Sequence, residues 1–158
     1  MIKKQEMIKA AYDELMKATG IKFNMDDFEK WINRKANSLC RRDKKRTKGI
    51  FNLTPMQYVE GICNAIKESP VFDFYTGDKL DWTQIGKYTN EEAQELGPDI
   101  KKKFAMMPTV DHADAKPEPN FRICTWRTND AKNDLTLDEF RKLCLKVLRH
   151  SGEDIQRK

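Results

Sequence analysis

Long apolar runs are missing from this sequence: no stretch approaches the roughly 20 residues that a membrane-spanning helix needs. The opening Met1-Ile2-Lys3-Lys4-Gln5-Glu6 has no apolar stretch of the kind a secretory signal carries. These absences argue against a membrane partner and lead to the expectation of a soluble, cytoplasmic protein. The four cysteines, Cys40, Cys63, Cys124 and Cys144, form no CxxC pair and keep no regular spacing. Neither a disulfide framework nor a structural zinc is expected from them. Reduced, partly buried thiols are the simplest reading, and Cys63 and Cys144 fall on apolar helical stripes. Histidine is scarce, with only His112 and His150, and there is no internal repeat. His150 closes the last helical stripe and reads as a cation at a helix terminus.

What is present is a polar chain with enough apolar mass to fold. Of 158 residues, 39% are hydrophobic and 35% charged, and the content of Trp, Phe, Leu and Ile excludes wholesale disorder. The net charge of +5 is unevenly spread. Residues 1–69 carry 15 Lys and Arg against 9 Asp and Glu, whereas residues 70–158 carry 15 against 16. Such asymmetry fits a basic half that meets a polyanion, beside a half whose carboxylates have other tasks. An ordinary solvated basic surface is the competing explanation.

Residues 1–69 read as three helices. Ile8, Tyr12, Leu15 and Met16 mark the first stripe, which Gly20 ends. Asn24 or Asp26 can cap the second, with Phe28, Trp31, Ile32, Ala36 and Leu39 on one face. Thr54-Pro55 opens the third, whose face is Val59, Ile62, Cys63 and Ile66. Between the second and third lies Arg41-Arg42-Asp43-Lys44-Lys45-Arg46-Thr47-Lys48, in which Arg41, Arg42, Lys44, Lys45, Arg46 and Lys48 suit a phosphate backbone.

Past Pro70 the pattern changes. Val71 to Tyr75 reads as a short strand and Thr76-Gly77-Asp78 as a turn. Residues 83–107 carry the weakest pattern, with a short helix expected from Glu91 to Leu96, ended by Gly97-Pro98. Thr109-Val110-Asp111-His112 closes a strand, a loop with two prolines follows, and Phe121 to Trp126 forms a second strand. A helix opens near Thr128, and Thr136 with Glu139 caps a final helix whose stripe is Phe140, Leu143, Cys144, Val147 and Leu148. Adjacent residues at a strand end point in different directions, so Asp111 and His112 can hold distinct roles. Asp111 offers a hard oxygen ligand, Asn129 on the facing helix offers another, and His112 titrates where it could take a proton from water.

The segment from Asp111-His112 through Asn120, Asn129 and Lys132 to Asn133-Asp134 resembles the HNH (ββα-metal, or His-Me finger) nuclease motif, and Phe74-Tyr75-Thr76-Gly77 resembles the family's opening hairpin. The resemblance spans Phe72 to about Leu148. It implies Asp111 and Asn129 as metal ligands, His112 as general base and Asn120 as the residue that holds the histidine loop. It also implies Lys132 as a phosphate contact, and a magnesium-like ion, replaceable by Mn²⁺, as cofactor. DNA would be cut to leave 5′-phosphate and 3′-hydroxyl ends. Where many members carry a zinc, this chain keeps only Cys124, so an apolar core that includes Phe74 and Trp126 is expected instead.

The expectation is therefore an α+β protein: a basic, DNA-binding helical region at 1–69, an HNH nuclease module at 70–150 and a polar tail at 151–158. A catalytically inactive, HNH-like nucleic-acid-binding protein is the alternative.

Overall fold

A computed structural model describes residues 2–50, 53–114 and 116–152; most of the expected polar tail, 153–158, lies outside the described residues. The chain is α+β. The first three helices, α1 (Ile2–Thr19), α2 (Met25–Arg46) and α3 (Pro55–Glu68), precede a two-stranded antiparallel sheet of β1 (Pro108–His112) and β2 (Phe121–Thr125). Short helices α4 (Asn90–Leu96) and α5 (Ile100–Lys103) lead into β1, and α6 (Trp126–Lys132) and α7 (Leu137–His150) follow β2. No described helix is long and apolar enough to cross a membrane.

Local chemistry sets the helix ends. The Asn24 side chain accepts from the Asp26 and Asp27 amides, satisfying donors that the first turn of α2 leaves free. Pro55 starts α3 behind Thr54, whose amide donates to Gln57 Oε1 at 2.9 Å. The basic run is not an inter-helix loop: residues 41–46 continue α2 for its last turns, where their cations meet the negative end of the helix dipole.

One apolar core joins both halves of the chain. Ile8, Ala11 and Leu15 of α1, the stripe of α2, and Tyr58, Val59, Ile62 and Ile66 of α3 pack with Leu80, Trp82, Val110, Phe121 and Ile123. The helices of residues 1–69 are thus the cover of the hairpin, not a detachable arm. α3 packs on β2, and the rings of Tyr58 and Phe121 lie 5.8 Å apart. Phe74 and Trp126, expected to share an apolar core, do not join this one. Phe74 is 45% exposed, with the Arg122 guanidinium over its ring, while Trp126 belongs to a smaller cluster with Ile100, Phe104 and Tyr88.

Two further expectations change. Val71 to Tyr75 makes only a single bridge, Phe72 to Lys79, because Asp73 turns the chain instead: its Oδ1 accepts from the Tyr75 and Thr76 amides. The stripe of α7 is not core either: none of its residues is buried, Leu143 is 46% and Val147 60% exposed, and Cys144 is exposed while the other three thiols are buried.

The approach of α3 to the hairpin depends on Gly61. A Cβ there would collide with the Pro119 carbonyl oxygen and lie about 3 Å from the Phe121 ring. Alanine normally strengthens a helix interior by up to about 1 kcal/mol over glycine. Here Gly61→Ala is expected to destabilise by about 1–3 kcal/mol through overpacking, measured by chemical denaturation.

Candidate active site

β1 brings two chemically different residues to one wall of a cleft of about 890 Å³. Asp111 and His112 are consecutive, so the pleat turns them to opposite partners. Both are almost fully buried, at 7% and 3% exposure, yet both line the cleft.

The imidazole of His112 is held at both nitrogens. Its Nε2 lies 2.8 Å from Oδ2 of Asp43, and its Nδ1 lies 3.3 Å from Nη2 of Arg42. A carboxylate only accepts and a guanidinium only donates, so the arrangement selects the tautomer with hydrogen on Nε2 and leaves Nδ1 as the basic nitrogen. Asp43 is itself fixed by the Tyr58 hydroxyl, which donates to the same oxygen at 2.9 Å. Burial lowers the affinity of His112 for a proton, against the Asp43 carboxylate, which raises it. The Tyr58 phenol is pushed well above its ordinary range by burial and by its bond to Asp43, so it stays a neutral donor.

Asp111 has a different environment. Tyr75 donates its hydroxyl to Asp111 Oδ2 at 2.6 Å, and Lys132 Nζ lies 2.8 Å from the same oxygen. The Lys132 ammonium also sits 5.5 Å from the centre of the Tyr75 ring. Tyr75 reaches this position because Asp73 ties its turn to β2: Asp73 Oδ2 accepts from the Thr125 amide at 2.7 Å, and the Phe74 amide donates to the Ile123 carbonyl. Lys132 is fully buried, so it meets a carboxylate rather than the open cleft, contrary to the phosphate contact expected for it.

The cleft collects several other expected residues and separates some. Asn129 of α6 lines it together with Asp111 and His112. α6 is anchored by Thr125, whose hydroxyl accepts from the Thr128 amide at 3.1 Å. Of the basic run, Arg42 and Arg46 line the cleft; Arg41, Lys44, Lys45 and Lys48 are exposed but do not, because a helix turns residues at other spacings away. Lys101, Lys102 and Arg127 also line the cleft, Lys101 paired with Asp130 and Lys102 with Asp99. Asn120 stabilises the loop through its main chain, its carbonyl accepting from the Ala113 amide at 2.9 Å, while its side-chain oxygen accepts from Arg122 at 3.4 Å and does not touch His112.

Among the described residues no group of three or more His, Cys, Asp or Glu side chains is gathered to hold a metal. The oxygen donors that line the cleft are the carboxylates of Asp111, Asp130 and Asp134 and the amides of Asn129 and Asn133, with Asp130 already paired to Lys101. Both contacts to Asp111 fall on Oδ2, which leaves Oδ1 for a ligand, and Asn129 lines the same cleft with an amide oxygen as a second hard donor. Such a pair fits a magnesium-like ion that keeps several waters and takes phosphate oxygens. The Lys132 ammonium on the same carboxylate weakens the attraction for a second cation.

Asp43 is the functional residue that sequence reasoning misses, hidden inside a run of cations. A signal exists: it follows Leu39 by four and Cys40 by three, which places a carboxylate on the buried stripe of α2. Compared with family models, with curated proteins and with solved structures, the chain finds no match, so the chemistry of this cleft rests on its own geometry.

Proposed function

We propose that this protein is a divalent-metal-dependent endonuclease of the HNH (ββα-metal) type that hydrolyses DNA to 5′-phosphate and 3′-hydroxyl ends. The observation that carries the reading is the pairing of roles at the end of β1: Asp111 and His112 have different partners and line one cleft together with Asn129, Arg42 and Arg46.

His112 acts as general base. With hydrogen on Nε2 and Asp43 behind it, Nδ1 accepts a proton from an attacking water once Arg42 turns from the ring to a backbone phosphate, and the carboxylate stabilises the imidazolium that forms. Burial keeps the resting ring uncharged and so able to accept. Arg42, Arg46, Lys101 and Lys102 attract and seat the phosphate backbone. Asp111 and Asn129 would hold the divalent ion, which supplies charge stabilisation at the scissile phosphate and the departing oxygen. Tyr75 and Lys132 orient the Asp111 carboxylate from behind.

The test is incubation with supercoiled plasmid in Mg²⁺, Mn²⁺ or EDTA, with product ends mapped. Nicking or linearisation that EDTA abolishes is expected. The contact of Lys132 with Asp111 favours the rival reading, a nucleic-acid-binding protein without catalysis, whose outcome is plasmid binding with no cutting in either metal.

The positions of the cations yield a finer expectation. Arg42→Gln with Arg46→Gln should weaken DNA binding and lower the salt-dependence slope by about one for each phosphate no longer neutralised. Lys44→Gln with Lys45→Gln should change both much less, in anisotropy titrations across a range of salt.

A further inference from the structure

Beside the cleft lies a second pocket of about 380 Å³, lined by Arg34, Lys35 and Ser38 of α2, by Thr109 of β1, and by Tyr88 and Trp126. Trp126 and Asn129 line both spaces, so the two lie side by side with the indole between them. α2 provides the basic wall of each. Arg34, Ser38, Arg42 and Arg46 recur every four residues and so wind slowly around α2, the first two at the second pocket and the last two at the cleft.

The second pocket is short of negative charge. Among the described residues neither Arg34 nor Lys35 has a carboxylate within ion-pair distance. The Lys35 ammonium donates to Thr109 Oγ1 at 2.7 Å, a neutral partner. Its pKa is lowered to about 8 by burial first and then by the neighbouring Arg34, with Arg42 adding to the effect. Two cations held together without a counter-charge favour an arriving anion. Tyr88 and Trp126, with ring centres 5.7 Å apart and planes at 75°, give the same space an aromatic corner.

We propose that this pocket seats a backbone phosphate of the DNA strand about three nucleotides from the bond at His112, held by Arg34, Lys35 and Ser38, with Tyr88 and Trp126 against the attached sugar or base. The spacing places α2 along the duplex axis: eight residues from Arg34 to Arg42 rise about 12 Å, or three to four base-pair steps at about 3.4 Å of axial rise each. The inference rests on the nuclease reading, and it assigns the direction in which the strand leaves the cleft: along α2, past Trp126, toward the start of that helix.

Arg34 and Ser38 are exposed, so Arg34→Gln and Ser38→Glu can be made without disturbing the core. Binding of a fluorescein-labelled duplex DNA of about 20 base pairs is followed by anisotropy in EDTA, and cutting of the same duplex in Mg²⁺. Arg34→Gln is expected to weaken binding about tenfold and lower the salt slope by about one, and Ser38→Glu to weaken it further by repelling the phosphate. With the cut position mapped, single methylphosphonate replacements in the duplex add a finer readout. The parent should lose affinity at a phosphate about three nucleotides from the cut, and Arg34→Gln should be indifferent to that one replacement. Parental affinity and slope in both variants, while the parent binds and cuts, would overturn this assignment alone. A parent that fails to bind the duplex at all would overturn it together with the nuclease reading.

Discussion

Replacing His112 with alanine lowers single-turnover cleavage by about a hundredfold or more, the usual share of a positioned general base, while DNA binding stays near the parental level. The separation of binding from chemistry is what identifies the role, because Arg42 loses only its contact with the ring and the other cations at the cleft are untouched by the change. The site is buried, however, and Asp43 would be left facing a cavity. Some loss of stability is therefore expected as well, and cleavage has to be compared at equal folded fraction, set by a thermal melt on the same preparation. A folded fraction that still cuts at the parental rate would remove His112 from the chemistry.

The second large effect falls on Asp43, which touches no substrate and acts through the ring it holds. Asp43→Ala removes the shared acceptor of His112 and Tyr58, leaving two buried polar groups without a partner. The expected destabilisation is about 3 kcal/mol, as each orphaned group costs about 1–3 kcal/mol. Asp43→Asn separates structure from chemistry: the amide oxygen can still accept from both partners, but the charge that stabilises the imidazolium is gone. Cleavage should then fall about 10- to 100-fold, the range usual for residues that orient a catalytic group, with a much smaller loss of stability. The ring tautomer provides a readout that a merely structural role would not move. With only two histidines in the chain, ¹⁵N spectra separate His112 from the exposed His150. Hydrogen on Nε2 is expected in the parent and a mixture of tautomers in Asp43→Ala. A parent ring with hydrogen on Nδ1 would contradict the proposed direction of proton transfer.

Buried lysine next to buried aspartate gives this cleft its most unusual feature. Lys132 lies on Asp111 where the reading places a metal ligand, and the Tyr75 hydroxyl shares the same oxygen. The ammonium and the phenol together engage one carboxylate oxygen and leave the other without a side-chain partner among the described residues. The cost is electrostatic, since a bound cation would meet a positive charge on the far side of its ligand.

Local features are largely legible from residue order, because they depend on neighbours a few positions apart. The three opening helices, the pairing of β1 with β2, the Thr136 and Glu139 cap of α7 and the meeting of Asp111, His112 and Asn129 at one cleft all follow from periodicity, capping chemistry and a strand, loop, strand, helix order. Tertiary structure decided what depends on distant partners. Asp43 and His112 are 69 positions apart, and no local rule links a carboxylate in a basic helix end to a strand terminus in the other half of the chain. Lys132 is expected as a phosphate contact from the resemblance, because residue order carries no information about the depth at which a side chain ends. The stripe of α7 reads as core because periodicity reports an apolar face, not whether another element covers it. Helical and strand periods are written in the sequence, whereas burial and partnership are settled only when α2 and α3 close over the hairpin and exclude water from Asp43, Tyr58 and His112.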